Sequence, residues 1–258
     1  MTREAHHLMQ PILLILTASL LLTGCSKKPS ASVNQTVDVA TNPAGAQNAG
    51  SPTNASPSAA PVDMTQTINQ YGTRAAYFDK ITQFPVWKTV PRGAQVFDNV
   101  PIQIDGMICL WGSENTRINI VFPEQVLGIP WNQKFETLYV YHATFYRAPD
   151  QTPVYDLVFR YADGSSVTNE IKFGVDVVDW YANTSQSMTA PPSSPNAKIA
   201  WTGGSFLPDG LQPLRFCLTA LDNPHPSLKV TTIDLYSCKN QPAACIMAMT
   251  AGQSGLLK

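Results

Sequence analysis

Three observations predict an all-β fold, an antiparallel β-sandwich of jelly-roll type. The block from Phe135 to Trp180 reads as three consecutive strands with a tight hairpin in its middle. Further runs of alternating character continue to the C-terminus, separated by Gly, Pro, Asn and Asp. No long helical pattern interrupts them. Many short strands in one stretch of chain bury their apolar faces by packing as two antiparallel layers.

The hairpin is legible at the level of pairing. Tyr155, Leu157, Phe159 and Tyr161 alternate with polar Asp156 and Arg160; Val167, Ile171 and Phe173 alternate with Thr168, Glu170 and Lys172. Period two marks a strand with one buried face. Residues opposite each other in a hairpin share a face. A two-residue Asp163-Gly164 loop would set Phe159 against Thr168 and put each apolar residue opposite a polar one. A three-residue loop, Ala162-Asp163-Gly164, sets Phe159 against Val167 and Tyr155 against Ile171. Such loops close with a residue in the left-handed region, which Gly164 adopts without steric cost. The sequence therefore predicts a bulged hairpin.

The N-terminus reads as a targeting segment. Arg3 supplies a basic start, and Ile12 to Leu22 is an apolar run too short to span a bilayer, where ~20 residues are needed. It ends in Leu22-Thr23-Gly24-Cys25, which resembles the lipobox of bacterial lipoproteins. The resemblance implies a signal peptide over 1–24, cleavage before Cys25, diacylglycerol on its sulfur and an acylated amine. The partner implied is a lipid bilayer, bound through buried acyl CH₂ groups at ~0.8 kcal/mol each. Ser26 follows the cysteine where an acidic retention signal would otherwise stand; by analogy with sorting rules this points to the outer membrane of a cell envelope.

Residues 25–65 are rich in Ser, Ala, Asn, Thr and Pro. With so little to bury, this stretch is expected to be a disordered linker with a span of roughly 35 Å. Residues 66–258 are expected to form one sandwich domain. Within it, 67–82 has Ile68, Tyr71, Ala75 and Phe78 at helical spacing, interrupted by Gly72, and reads either as a short helix or as a loose lead-in. Strand signals follow. Ile102 and Ile104 alternate with Gln103 and Asp105. Met107 to Trp111 is a short apolar run. Ile118, Ile120 and Phe122 alternate with Arg117 and Asn119. Leu214, Phe216 and Leu218 alternate with Arg215, Cys217 and Thr219. Lys229–Ser237 and Cys245–Thr250 finish the series.

The formal net charge of −1 argues against a basic nucleic-acid or membrane-binding face, and the expectation is that no nucleic acid is bound. Charged residues are 14%, low against a typical ~25%. Low charge with many Thr, Ser, Asn, Pro and aromatic residues suits an exported β-domain.

The spaced features GAQVFDNVPIQIDGMICLWG, FPEQVLGIPW, YVYHATF, YADGSS, IKFGVDVVDW, IAWTGG and LDNPHPSLKVTTIDLYS resemble a bacterial β-sandwich of the galactose-binding-like, carbohydrate-binding-module type over about 84–251. The resemblance implies a non-catalytic glycan-binding domain of the kind that occurs on exported proteins beside glycoside hydrolases or sensor modules. A structural Ca²⁺ held by Asp side chains and loop carbonyls occurs in such sandwiches. No Asp cluster here demands one, and no cofactor is expected.

Aromatic faces stack on sugar rings while nearby polar groups hold the hydroxyls. The candidate contacts are Trp131, in a loop after Pro130; Asp179, Trp180 and Tyr181, where the strand pattern stops; Trp201, beyond a Pro/Ser-rich excursion over 182–198; and His225, in the rigid loop Asn223-Pro224-His225-Pro226. Each tryptophan either rims one end of the sandwich or plugs its core. Asn223 is expected to make an Asx-type turn bond. His142, mid-strand beside Leu138 and Val140, reads as a buried, hydrogen-bonded histidine before a ligand contact. Catalysis is not expected. There is no Gly-x-Ser-x-Gly elbow and no His-Glu-x-x-His pair, and no spacing selects two carboxylates for glycoside hydrolysis. The exported setting permits disulfides, and Cys238 and Cys245, bracketing a short turn, are the expected pair among Cys109, Cys217, Cys238 and Cys245. Glycan binding is one reading; docking of another envelope protein by a structural or adaptor lipoprotein is the other.

Overall fold

A computed structural model describes residues 60–61, 89–117, 121–181, 190–204 and 213–257. The signal segment, Cys25, the helical pattern at 67–82 and Trp87 fall outside the described residues. The elements are β1 (Ala60–Pro61), β2 (Gly93–Phe97), β3 (Val100–Ile104), β4 (Ile108–Cys109), α1 (Ser113–Arg117), β5 (Gln125–Gln133), β6 (Thr137–Phe145), β7 (Pro153–Tyr161), β8 (Ser166–Lys172), β9 (Ala197–Gly204), β10 (Pro213–Asp222), β11 (Val230–Ser237) and β12 (Ala243–Gly252). Every pairing between them is antiparallel.

One sheet has the order β1-β12-β6-β10-β9, with β4 also on β12; a second has the order β5-β11-β7-β8; β2 and β3 form a separate ribbon. The strand block that reads as one unit in the sequence is therefore divided. β6 lies in the first sheet, while β7 and β8 lie in the second. The turn between them carries the chain from one layer to the other.

The ribbon adds a third layer. Phe97 stacks on Tyr141 of β6 at 5.0 Å, and Thr250 of β12 donates to the Pro101 carbonyl at 2.7 Å. On the other side, Tyr155 of β7 reaches His142. Both faces of β6 and β12 are thus covered, and every residue of the two strands is buried. A strand covered on both faces has no reason to alternate. This accounts for the unbroken apolar and small-residue run of β12, AACIMAMTAG.

The hairpin has the pairing read from the sequence. Phe159 faces Val167 and Tyr155 faces Ile171. Tyr161 N–H donates to Ser165 O and Gly164 N–H to Tyr161 O, with Gly164 at φ 86°. Asp163 caps the turn by accepting from the Ser165 N–H at 2.9 Å.

Two expectations are corrected. β1 lies inside the stretch expected to be a linker, and its backbone pairs Ala60 with Ala251 and Pro61 with Thr250. Ser113–Arg117 is a single helical turn, braced by the Glu114–Arg117 ion pair at 2.9 Å, and residues 118–120 of the strand expected over 117–122 lie outside the described residues. β9 begins at Ala197, so the excursion expected over 182–198 is shorter than predicted.

His142 joins the two layers through a hydrogen-bonded chain whose polarity can be deduced. Thr219 donates its only hydroxyl proton to the Asp176 carbonyl at 2.7 Å. It must therefore accept from His142 Nε2–H, 2.8 Å away. That leaves Nδ1 as the acceptor for the Tyr155 hydroxyl at 2.7 Å. The imidazole is neutral, fully satisfied and fully buried. Burial drives its pKa down to about 3, against a smaller raising influence from the Asp176 backbone. Asn223 closes the opposite end of the sandwich: its carbonyl oxygen accepts from the Tyr161 hydroxyl and the His225 N–H, and its amide donates to Phe135 O. The His225 bond is the expected Asx turn.

Candidate functional site

The segment after β8 builds a polar, buried corner of the described fold. Lys172 O accepts N–H bonds from Asp176 and Val177, and the Asp176 carboxylate accepts the Lys172 N–H at 2.9 Å, which folds the chain into a compact turn. The segment then enters the first sheet. Thr144 N–H donates to Val178 O, Trp180 N–H donates to Thr144 O, and Arg215 N–H donates to Trp180 O. β6 and β10 pair directly only from His142/Cys217 to Thr137/Asp222. Beyond that point residues 178–180 stand between them, and this wedge brings together side chains distant in sequence.

Asp179 is 6% exposed and Arg215 is 5% exposed. Arg215 donates from Nε to the Asp179 carbonyl at 3.0 Å and from its terminal nitrogen to Ala190 O at 3.1 Å. The Asp179 carboxyl accepts the Tyr181 N–H at 3.2 Å. Burial pushes its pKa up to about 7, although the Tyr181 bond and the positive charges of Arg147 and Arg215 pull it down. Burial also lowers Arg215. The aromatic side is made by Trp180, 5.7 Å from Tyr181 and edge-on to Phe145 at 6.1 Å.

Tyr146 completes the corner. It is 36% exposed, has φ 66°, and has Glu114 and Asp179 in its electrostatic environment. A left-handed backbone costs a bulky L-residue roughly 1–2 kcal/mol, so the surrounding structure holds Tyr146 in a conformation that its own preference opposes. Chemically, the corner offers aromatic faces beside a carboxyl that is neutral below about pH 7 and can donate or accept.

The residues read from the sequence do not form one site. Asp179, Trp180 and Tyr181 stay together. Trp201 lies in β9 opposite Phe216, while Tyr181 bridges Leu214, so Tyr181 and Trp201 share one face of the sheet. The Trp201 ring packs on Phe216 at 5.9 Å. Trp131 is not in a loop. It sits in edge strand β5, 7% exposed, edge-on to Phe135 at 6.0 Å, and belongs to the core. His225 is exposed and packs on Tyr161 at 5.4 Å, near Asn223, whose N–H bonds Glu136 O. Trp180 bonds Thr144, at the other end of β6. By strand rise the two groups are roughly 25 Å apart. Arg215 and Tyr146 are the residues that sequence reasoning missed. Arg215 reads as the polar face of an alternating strand, and the backbone it holds is 36 positions away.

The four cysteines after Cys25 form no disulfide. The expected Cys238–Cys245 pair is not formed, because the turn between them separates two layers. Cys238 follows β11 of the second sheet, with its sulfur 3.9 Å from Asp156. Cys245 is in β12 of the first, paired in register with Cys109. No group of three or more His, Cys, Asp or Glu side chains placed to hold a metal ion occurs among the described residues. No described helix is long and apolar enough to cross a membrane. No family model, curated protein or solved structure matches the chain.

Proposed function

We propose that the chain is an envelope lipoprotein, anchored through Cys25, whose β-sandwich binds carbohydrate at the Tyr146–Asp179–Trp180–Tyr181 corner without turning it over. The observation that carries the reading is Tyr146. A partly exposed tyrosine stands in an unfavourable backbone conformation within electrostatic reach of the buried Asp179, which adjoins the half-buried Trp180–Tyr181 pair. Apolar C–H faces of a pyranose fit the rings, and the carboxyl fits a hydroxyl. Trp131 and His225 are left out of this site by their positions.

A glycan array probed with the purified chain tests the reading. Sugar binding is expected, weakened at least tenfold by Tyr146→Ala and by Trp180→Ala and unchanged by Trp131→Phe, a near-conservative change in the core. The Asp179 carboxyl makes a second prediction. Affinity is expected to change between pH 6 and pH 8, as Asp179 loses its proton. Asp179→Asn should hold the pH 6 behaviour across that range. An array that retains nothing, together with an envelope protein recovered on the chain, would replace the glycan reading by the adaptor reading.

A further inference from the structure

Two tripeptides in this chain are mirror images, Met107-Ile108-Cys109 and Cys245-Ile246-Met247. β4 and β12 pair them antiparallel, with Cys109 opposite Cys245 and Ile108 opposite Ile246. Opposed residues share a face, so the two isoleucines turn one way and the two cysteines the other; β12 bulges between Ile246 and Ala248, and the sulfur separations bring Met107 and Met247 to the cysteine side. Cys109 Sγ lies 3.4 Å from Met107 Sδ, and Cys245 Sγ lies 3.9 Å from both Met107 Sδ and Met247 Sδ. Cys245 also shares a hydrogen bond with Cys109. All four residues are completely buried.

The cluster lies away from the His142 network. Cys245 pairs with Ala143, whose side chain shares a face with Tyr141, so the sulfurs occupy the opposite face of the first sheet from His142. Tyr141 is itself completely buried, and its hydroxyl has no hydrogen-bond partner. Burial, with Cys217 and Cys245 as neighbours, raises its pKa. A purely apolar filling of this space would require neither an orphaned hydroxyl nor four sulfurs.

We propose that Met107, Cys109, Cys245 and Met247 form a binding site for a soft monovalent cation, Cu(I). Four sulfurs at ~2.3 Å from a central ion stand ~3.8 Å from one another in a tetrahedron, close to the separations found here. Thioethers are neutral, soft donors; two of them beside two thiols select Cu(I) over Zn²⁺, which takes thiolate, imidazole and carboxylate. In the binding step Cu⁺ replaces a thiol proton, forming a Cu–S bond and releasing H⁺, with no change of oxidation state. One thiolate, one thiol and two thioethers around one Cu⁺ bring no net charge into the apolar interior. The sulfurs are reached by local opening of β4, which is only two residues long.

The test is an anaerobic titration of the reduced chain carrying Cys25→Ser and Cys238→Ser, which removes two of the three thiols outside the cluster and leaves Cys217, completely buried in β10. Cu(I) is supplied as its bicinchoninate complex. One Cu(I) per chain should transfer, with release of at least one proton. X-ray absorption should show a shell of four sulfurs. Met107→Leu with Met247→Leu, a volume-conserving pair, should weaken retention at least tenfold. Cys245→Ser should abolish it. The proposal is overturned if no copper leaves the competitor, or if retention survives both variants, which marks adventitious binding only. A two-sulfur shell overturns it without recourse to variants. So does a Cys109–Cys245 disulfide in protein taken directly from cells.

Discussion

Replacing His142 with glutamine is expected to turn a nearly flat pH dependence of stability between pH 6.5 and pH 4 into one that rises as pH falls. His142 is held neutral by the Tyr155, Thr219 and Asp176 chain, with its pKa lowered to about 3 by burial. In the unfolded chain it titrates near ~6.5. Below that pH the unfolded state binds the extra proton. The His142 contribution is therefore complete above pH ~6.5 and lost as pH falls towards 3, at ~1.4 kcal/mol per pH unit and on the order of 5 kcal/mol in all. Asp179 acts with the opposite sign. Its folded pKa is raised to about 7, so its contribution is complete below pH ~4 and lost as pH rises to 7.

Between these limits the two slopes oppose, and the wild-type curve should be close to flat in that respect. His142→Gln removes one slope, and the stability of the variant should rise as pH falls from 6.5 to 4. Asp179→Asn removes the other, and stability should fall over the same range. Urea unfolding at several pH values, with unchanged m, reads both. Parallel curves for wild type and His142→Gln would refute the account. His142→Ala should in addition cost about 4 kcal/mol at neutral pH, from the cavity and from the two partners left unpaired.

Gly112→Ala is expected to be the most damaging single methyl in the described fold. A Cβ at Gly112 would lie 2.5 Å from the backbone N of Ala243 and 2.7 Å from its Cα and Cβ. The obstacle is mainly the backbone of β12, which cannot rotate away. The neighbouring Leu110 N–H bond to Ala244 O and the Ser113 N–H bond to Asn240 O would both lengthen. A loss of roughly 3 kcal/mol or more is expected, read as a fall in the urea midpoint. Ala243→Gly in the same chain removes the Cβ–Cβ overlap but not the clash with N and Cα, so it should restore only part. Gly164→Ala is the control. No atom lies within 4 Å of its added Cβ, and the cost should be limited to the roughly 1–2 kcal/mol of a left-handed backbone.

What could be read from the sequence was local. The bulged hairpin follows from two pairs of side chains, Phe159 with Val167 and Tyr155 with Ile171, and the Asx turn from Asn223 next to Pro224. Assignment of strands to layers was not legible. Alternation in β7 reports one buried face but not which sheet supplies the cover, so β6 and β7 read as neighbours although they face each other across the core. β12 gave no alternation because the β2–β3 ribbon covers its outer face. Pro130 suggested a loop for Trp131, but an edge strand needs no inward N–H at that position and tolerates proline. The candidate corner was legible only in part. Asp179, Trp180 and Tyr181 stand where a strand pattern ends. Arg215 and Tyr146 join them through the wedge at residues 178–180, a tertiary event with no periodic trace.

The margins of the four-stranded sheet bear on crowding. Along β5, Pro130 has no N–H to offer, the Gly128 N–H is already given to Asp234 at 2.7 Å, and Gly128 and Asn132 turn the backbone left-handed. The outer margin at β8 exposes Ser166, Thr168 and Glu170, with Glu170 ion-paired to Lys172 at 3.1 Å. Interrupted or charged margins do not template an additional strand. Copies held at high local density are thus kept from zipping together through this sheet, and peptide capture by strand addition is disfavoured along both margins. Whatever docks here must be recognised by side chains and loops, which makes the contact selective and reversible instead of polymerising.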